Sequence, residues 1–199
     1  ASDVYKRQHI SSVNTDNYMG ALQATSPLIR DKCDILIHIN VNVNKSAPAY
    51  DRIRAFQATC EEYHVPYDID LSVKGASYHE LLDVIREIFN KIESKYPDQK
   101  KGIFLANDTY ANMFLNLIFQ KYGTFPSTYE IVGFDNSPIA SEAILPITTI
   151  GQQIDVIAKT AMDLLVQQME EQKKRVPKPL GEPIHKQITP ILIRRNTTE

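Results

Sequence analysis

Apolar positions along this chain follow two alternating rhythms. Short, nearly continuous apolar runs at residues 34–39, 102–106 and 129–134 are too brief for helices, and they predict strands buried on both faces. Between them, longer stretches repeat apolar residues every three or four positions. Residues 18–30 carry Met19, Leu22, Leu28 and Ile29, and residues 49–63 place Ile53, Phe56 and Cys60 on one face. The stretch opened by Ser77 carries Leu81, Leu82, Ile85, Ile88, Phe89 and Ile92 at helical spacing. Each predicts a helix, as does the stretch 108–122. Ser77 has the chemistry of an N-cap, and Pro97 closes the helix it opens. Pro27 predicts a kink or an early stop in the first helix. Weaker strands are predicted at 10–13 and 64–69, with a polar loop over 40–48.

The end of the chain reads differently. Residues 148–150 are short and extended, and 152–172 predict a long amphipathic helix with Ile154, Ile157, Ala161, Leu164 and Leu165 facing inward. A Pro-rich loop over 176–183 leads to a last strand, 185–193, whose internal Pro190 predicts an edge strand or a crossing between layers. Repeated β-α-β units joined by right-handed crossovers make an α/β fold, a parallel sheet covered by helices on both faces. In such sheets ligands bind beyond the carboxyl ends of the strands. Three of those ends are polar here: residues 40–46, Asn107-Asp108, and Asp135-Asn136-Ser137.

Composition then narrows the function. With 43% apolar residues among 199, the chain can build a real core. Its 22 basic and 24 acidic side chains leave a net charge of −2, which gives no basic footprint for a phosphate backbone. The run Lys173-Lys174-Arg175 reads as a solvated helix end. Cys33 and Cys60 lack metal-ligand spacing and read as buried free thiols, while His38, inside a strand, reads as a satisfied core or edge histidine. There is no G-x-G-x-x-G, Walker A or G-x-S-x-G sequence and no His pair at metal spacing, so neither cofactor nor metal is expected. No nucleophile–base set is present to suggest an enzyme. No stretch reaches the ~20 apolar residues of a membrane helix, no signal peptide is visible, and residues 1–8 read as a boundary remnant.

Several motifs stand in an order that resembles a known family. Val132-Gly-Phe-Asp-Asn136, then Pro146-Ile-Thr-Thr-Ile150 with Gln152, then a long helix leading to Leu192-Ile-Arg-Arg-Asn-Thr-Thr198, resembles the C-terminal signature of the LacI/GalR repressors. Upstream, Asp16-Asn17-Tyr18 with Gly20, Arg52-Ile-Arg-Ala-Phe56 and Ala106-Asn-Asp108 are similar to further segments of that family. The resemblance covers the chain from about Ile10 to its end. Two departures stand out: Ala55 occupies a usual Gly position, and Val73 or its neighbours occupy a loop where many members carry an aromatic that stacks on the ligand.

The resemblance implies a periplasmic-binding-protein-like (type I) fold, two α/β subdomains joined by three crossings, with a small ligand in the cleft. Mapped here, residues 1–13 are a boundary remnant and crossing strand, and 14–147 the C-subdomain. Residues 148–186 are an N-subdomain remnant (helix and Pro-rich loop), opening on a crossing strand at 148–150, and 187–199 a strand crossing back. The helix-turn-helix, the hinge and the first half of the N-subdomain have no counterpart, so the helix of 152–172 is expected to lack its usual cover. The implied function is the effector-binding core of a cytoplasmic bacterial repressor, taking a sugar-like small molecule. The intact protein would meet operator DNA through a domain absent from this chain. An alternative with the same fold is the sugar-binding protein of an ABC transporter; the Thr-Thr-Ile crossing and the Arg-Arg-Asn-Thr-Thr ending favour the repressor.

Carried over by position, Arg52 reaches a ligand hydroxyl or carboxylate, Asn107 hydrogen-bonds the ligand, and Asp135 accepts from a sugar hydroxyl or base N–H. The alternatives are an exposed helix residue for Arg52, a helix cap for Asn107 and a cap of the following turn for Asp135. The resemblance also implies a homodimer, with much of the contact on the helix after Asn107 and the segment before Thr148. Met113, Phe114, Leu117, Ile118, Ile139, Ile144 and Leu145 lie there, and the helix has apolar residues for two faces. Its alternative is a helix buried on two sides within the monomer.

Overall fold

The computed structural model describes residues 10–45, 47, 49–75, 77–173 and 182–199. Residues 1–8, Lys174 and Arg175 of the basic run, and residues 176–181 of the Pro-rich loop lie outside the described residues. The elements, in chain order, are β1 (Ser12–Thr15), α1 (Asn17–Arg30), β2 (Ile35–Val41), α2 (Tyr50–Glu62), β3 (Tyr67–Val73), α3 (Tyr78–Lys95) and β4 (Lys101–Leu105). They continue with α4 (Asp108–Tyr122), β5 (Tyr129–Asp135), α5 (Pro138–Glu142), β6 (Thr148–Gly151), α6 (Ile154–Gln172), β7 (His185–Ile188) and β8 (Ile191–Ile193).

Six strands form one sheet in the order β3-β2-β4-β5-β6-β8. The first five run parallel, and β8 pairs antiparallel with β6. The predicted apolar runs are its central strands, in mutual register: Ile103 lies opposite both Ile37 and Ile131, so alternate residues of three strands share one face. That face, with Ile35 and Ile39, packs against Ile85, Ile88, Phe89 and Ile92 of α3 and Phe114, Leu117 and Ile118 of α4. On the opposite face Leu36, Phe104, Val132, Phe134 and Ile150 meet Ala21, Ala24 and Leu28 of α1 and Ala55, Phe56 and Cys60 of α2. Each large apolar side chain so buried contributes roughly 1.5–3 kcal/mol. Double-sided cover is why these strands read as continuous apolar runs.

Local chemistry accounts for the helix starts. Ser77 accepts from Glu80 N–H while Glu80 reaches back to the Ser77 N–H, a reciprocal cap. Asp16 caps α1 through Met19 N–H at 3.0 Å. Pro27 does not stop α1, which continues to Arg30; so near the C-terminus the missing N–H costs a single hydrogen bond. Gly20 lets α1 lie directly on the sheet, since a Cβ there would come within 2.8 Å of the Phe134 ring.

Several expectations shift. The first strand is two residues later than predicted because it is set by pairing with β7, parallel from Ser12 opposite His185 to Thr15 opposite Ile188. β3 runs from Tyr67 to Val73 because its register follows β2. Val73 is thereby a buried strand residue, not part of a loop. The last predicted strand is two: β7 lies in the two-stranded sheet with β1, β8 lies in the large sheet, and the chain passes between them at Pro190. Thr148–Gly151 likewise pairs within the large sheet, beside β5.

Two apolar surfaces differ from the sequence reading. In α4, Met113, Phe114, Leu115, Leu117 and Ile118 are all buried inside the chain, between the sheet and α3 and α5. The second apolar face of that helix is therefore filled within the monomer. In α6 the predicted inward face is largely open: only Leu164 is buried, while Ile154 and Leu165 are 66% and 51% exposed. The helix packs on β1, too narrow a partner to cover a 19-residue apolar stripe.

Candidate functional site

The chain leaves β2 at Asn40-Val41, β4 at Ala106-Asn107 and β5 at Asp135-Asn136, all at the carboxyl edge of the sheet. Because β2 lies between β3 and β4, successive connections diverge there, and an open α/β sheet has its crevice at such a point.

Arg52, in the first turn of α2, extends into this edge. Its Nε donates to Asn17 Oδ1 at 2.8 Å and its Nη1 to the Ala106 carbonyl at 2.6 Å. The guanidinium carbon stands 3.6 Å above the centroid of the Phe134 ring, so the fork is clamped on one face as well as at two donors. Burial pulls its pKa down to about 10, against the opposing pull of Asp135, and it stays cationic at neutral pH. No described residue takes the Nη2 donors. Arg52 is thus no exposed helix residue.

Asp135 is the last residue of β5. Its Oδ1 accepts from Gln152 Nε2 at 2.6 Å rather than capping the next turn, and Gln152 Oε1 in turn accepts from Thr15 Oγ1 at 2.5 Å. Asn17 Nδ2 donates to the Thr15 carbonyl at 3.2 Å. A chain of hydrogen bonds therefore runs from Arg52 through Asn17, Thr15 and Gln152 to Asp135. Thr15 and Gln152 sit where the polypeptide passes between the two sheets. A cavity of about 290 Å³ opens beside it, lined by Asp135, Asn136, Gln152, Gln153 and the start of α6.

Asn107 is adjacent in sequence to the carbonyl that holds Arg52, but its side-chain oxygen caps α4 through Tyr110 N–H at 2.9 Å. No described residue takes its amide N–H donors. The structure thus brings Arg52 and Asp135 into one electrostatic neighbourhood, with Asn107 flanking them as a helix cap. Asn17 and Gln152 were not among the residues expected to act. Both were visible only as members of motifs, Asn17 in Asp16-Asn17-Tyr18 and Gln152 two residues after Thr148-Thr-Ile150.

His38 and the two cysteines are structural. His38 is fully buried and held neutral by burial, its pKa pulled down to about 4. With Nδ1–H donating to the Phe104 carbonyl at 2.9 Å, Nε2 accepts from Asn40 Nδ2 at 3.2 Å. Burial pushes the thiols of Cys33 and Cys60 up to about 12, which leaves both unreactive. Among the described residues no cluster of three His, Cys, Asp or Glu could hold a metal ion, and no helix is long and apolar enough to cross a membrane.

Comparison with known proteins agrees with this architecture. The periplasmic binding protein-like domain family matches residues 28–198. The ribose operon repressor of Halalkalibacterium halodurans is 27% identical over 197 residues, covering 99% of this chain and 55% of that protein. The ribose operon repressor of Escherichia coli is 24% identical over 93% of the chain and 52% of its own length. The chain thus spans about half the length of these relatives. In fold it resembles a cellobiose complex of the transcriptional regulator CelR, with a TM-score of 0.77 at 21% identity over 96% of this chain and 54% of that one. A ribose-bound LacI family regulator from Enterococcus faecium gives 0.73 at 19% identity, over 94% and 65%. With the family matched over most of its length, the chain belongs to the periplasmic binding protein-like domain family, as its resemblance to the LacI/GalR effector-binding core implied.

Proposed function

We propose that this chain is the C-terminal part of the effector-binding core of a LacI/GalR-type repressor and that its cleft takes a sugar-like effector. The observation that carries this reading is the hydrogen-bonded chain from Arg52 to Asp135. A planar cation with donors to spare and a carboxylate that only accepts suit a ligand dense in hydroxyl groups. Repressors of sugar operons among the relatives, and sugars bound in the structural neighbours, support the same class. Division of the chain into a C-subdomain (14–147), an N-subdomain remnant (148–186) and a returning strand (187–199) is part of this reading.

Thr15 and Gln152 supply the route from ligand to shape. A ligand that takes a share of Asp135 alters a contact made at a crossing between sheets, so ligand affinity and inter-subdomain angle become linked, and the linkage is reciprocal. In the intact repressor that angle would set the DNA-reading heads, which belong to a domain outside this chain. The reading is of a cytoplasmic regulator without catalytic activity. Asp135→Ala in the full-length protein is expected to weaken D-ribose binding ten-fold or more, the loss of roughly 1.5–3 kcal/mol that one charge-assisted contact makes. Unchanged affinity by calorimetry would remove Asp135 from the site.

The same reading includes a two-fold dimer, which palindromic operators call for. Since α4 is filled within the monomer, the interface has to draw on neighbouring apolar residues such as Ile144, which is 65% exposed. Sedimentation of the full-length protein at micromolar concentration is expected to give a dimer whose dissociation is promoted by Ile144→Asp. A monomeric wild type would overturn the dimer.

A further inference from the structure

Asp135 and Asn136 both have positive φ, 103° and 53°, at the exit from β5. Consecutive left-handed non-glycine residues are strained and persist only where the surroundings over-determine them. The group that does so is Asp108, in the first turn of α4, which is 1% exposed. Its Oδ2 accepts from the Ser137 N–H at 2.7 Å and from Ser137 Oγ at 3.1 Å. Its Oδ1 accepts from Thr149 Oγ1 at 2.5 Å, and Thr149 Oγ1 also takes the Asn136 N–H at 3.4 Å. One carboxylate thus ties together the ends of β4, β5 and β6 and closes the loop that carries Asp135. Gly133 makes room for it, because a Cβ at that position would fall 2.3 Å from Asp108 Oδ1.

We propose that Asp108 is a positioning residue for the effector site: by holding Ser137 and Thr149 it keeps the Asp135–Asn136 step left-handed and the Asp135 carboxylate on Gln152. The inference rests on the ligand role proposed for Asp135, but the conformational half of it stands without any ligand. Asp108 itself touches neither Gln152 nor Arg52; it acts through the backbone. Asp108→Asn keeps the side-chain shape but leaves one acceptor oxygen where there were two, so it can no longer accept from both Ser137 and Thr149 and the anchor of the loop is weakened.

The test uses the full-length protein. In a crystal structure of the Asp108→Asn variant without ligand, Asp135 is expected to return to negative φ and to lose its contact with Gln152. In solution, the side-chain amide resonance of Gln152 is expected to move as it does in Asp135→Ala. Calorimetry with D-ribose is expected to give a ten-fold or greater loss for Asp108→Asn, no further loss when Asp135→Ala is added, and a smaller loss for Thr149→Val. An unmoved Gln152 resonance with Asp135 still at positive φ overturns the proposal, as do losses that multiply independently in the double variant. If Asp108→Asn does not fold, Thr149→Val carries the same spectroscopic test, and an unmoved resonance there overturns the proposal equally. A wild-type protein that binds neither D-ribose nor sucrose nor cellobiose refutes the sugar reading, while the loop conformation still decides the role of Asp108.

Discussion

Replacing Arg52 with alanine is expected to abolish measurable effector binding and to destabilise the fold by about 3 kcal/mol. The binding loss follows from removing the cation of the site, whose charge-assisted contacts contribute about 1.5–3 kcal/mol apiece. The stability loss has a separate origin. Asn17 Oδ1 and the Ala106 carbonyl each lose a donor in a half-buried setting, and the Phe134 ring loses the cation stacked on it. Leaving an acceptor unsatisfied costs about 1–3 kcal/mol, and a desolvated cation–π contact is worth up to about 2 kcal/mol. Arg52→Lys separates the two effects, since it keeps the charge but cannot serve Asn17 and Ala106 as a planar fork. Urea denaturation together with calorimetry reads both quantities. An alanine variant within about 0.5 kcal/mol of wild type, the spread expected of an ordinary surface substitution, would show that Arg52 is no keystone of this edge.

The second large effect lies at the opposite end of the sheet, where Glu130 is 3% exposed. Burial is the main cause that pushes its carboxyl up to about 7, with Asp31 close by adding to the rise and Lys100 opposing it. Lys100 Nζ lies 2.8 Å from Glu130 Oε1, an ion pair without hydrogen-bond alignment, and also donates to the Asp31 carbonyl. The other groups facing this cluster are Cys33, Arg30 and Arg194 on Asp31, and Glu199 on Lys100.

A carboxyl whose folded pKa is raised holds its proton more tightly in the native state than in the unfolded chain, where it titrates near 4.5. Stability contributed by that proton is complete below about 4.5 and is lost as pH rises through about 7. At 1.36 kcal/mol per pH unit the loss has a ceiling of about 3 kcal/mol. Glu130→Gln keeps the shape and removes the titration. Urea midpoints at pH 5, 7 and 8.5 are therefore expected to fall for the wild type across this window and to fall less for the variant. Parallel pH profiles for the two proteins would refute the protonated Glu130.

How far the site could be read from the sequence depends on the range of the interactions involved. Asp135 stood out as a carboxylate at a strand end within a motif and Arg52 only through its motif on a helix; the structure brings the two to one edge, and their ligand role is the reading proposed above. Asn107 was legible only as one of two things, ligand donor or helix cap, because both uses want the same side chain at the same place. Asp108 and Gln152 were named only within motifs. Nothing local distinguishes a carboxylate that accepts from a serine 29 residues away, or a glutamine that joins a threonine at position 15 to an aspartate at 135.

The periodicities along the chain determined by themselves the alternation of strands and helices, the parallel sheet with two covered faces and the chemistry of its carboxyl edge. Burial on one or both faces writes itself directly into residue order. Tertiary structure alone decided which apolar faces are satisfied. The surplus face of α4 is filled because α3 and α5 close over it, whereas much of the regular stripe of α6 stays open among the described residues, where its main packing partner is the four-residue β1. Pro190 could be read as a break but not as the point where one strand becomes two in different sheets, since strand partners are chosen by residues distant in sequence. The left-handed step at Asp135 and Asn136 was equally beyond the sequence: aspartate and asparagine tolerate that conformation but do not require it, and here the buried carboxylate of Asp108 imposes it.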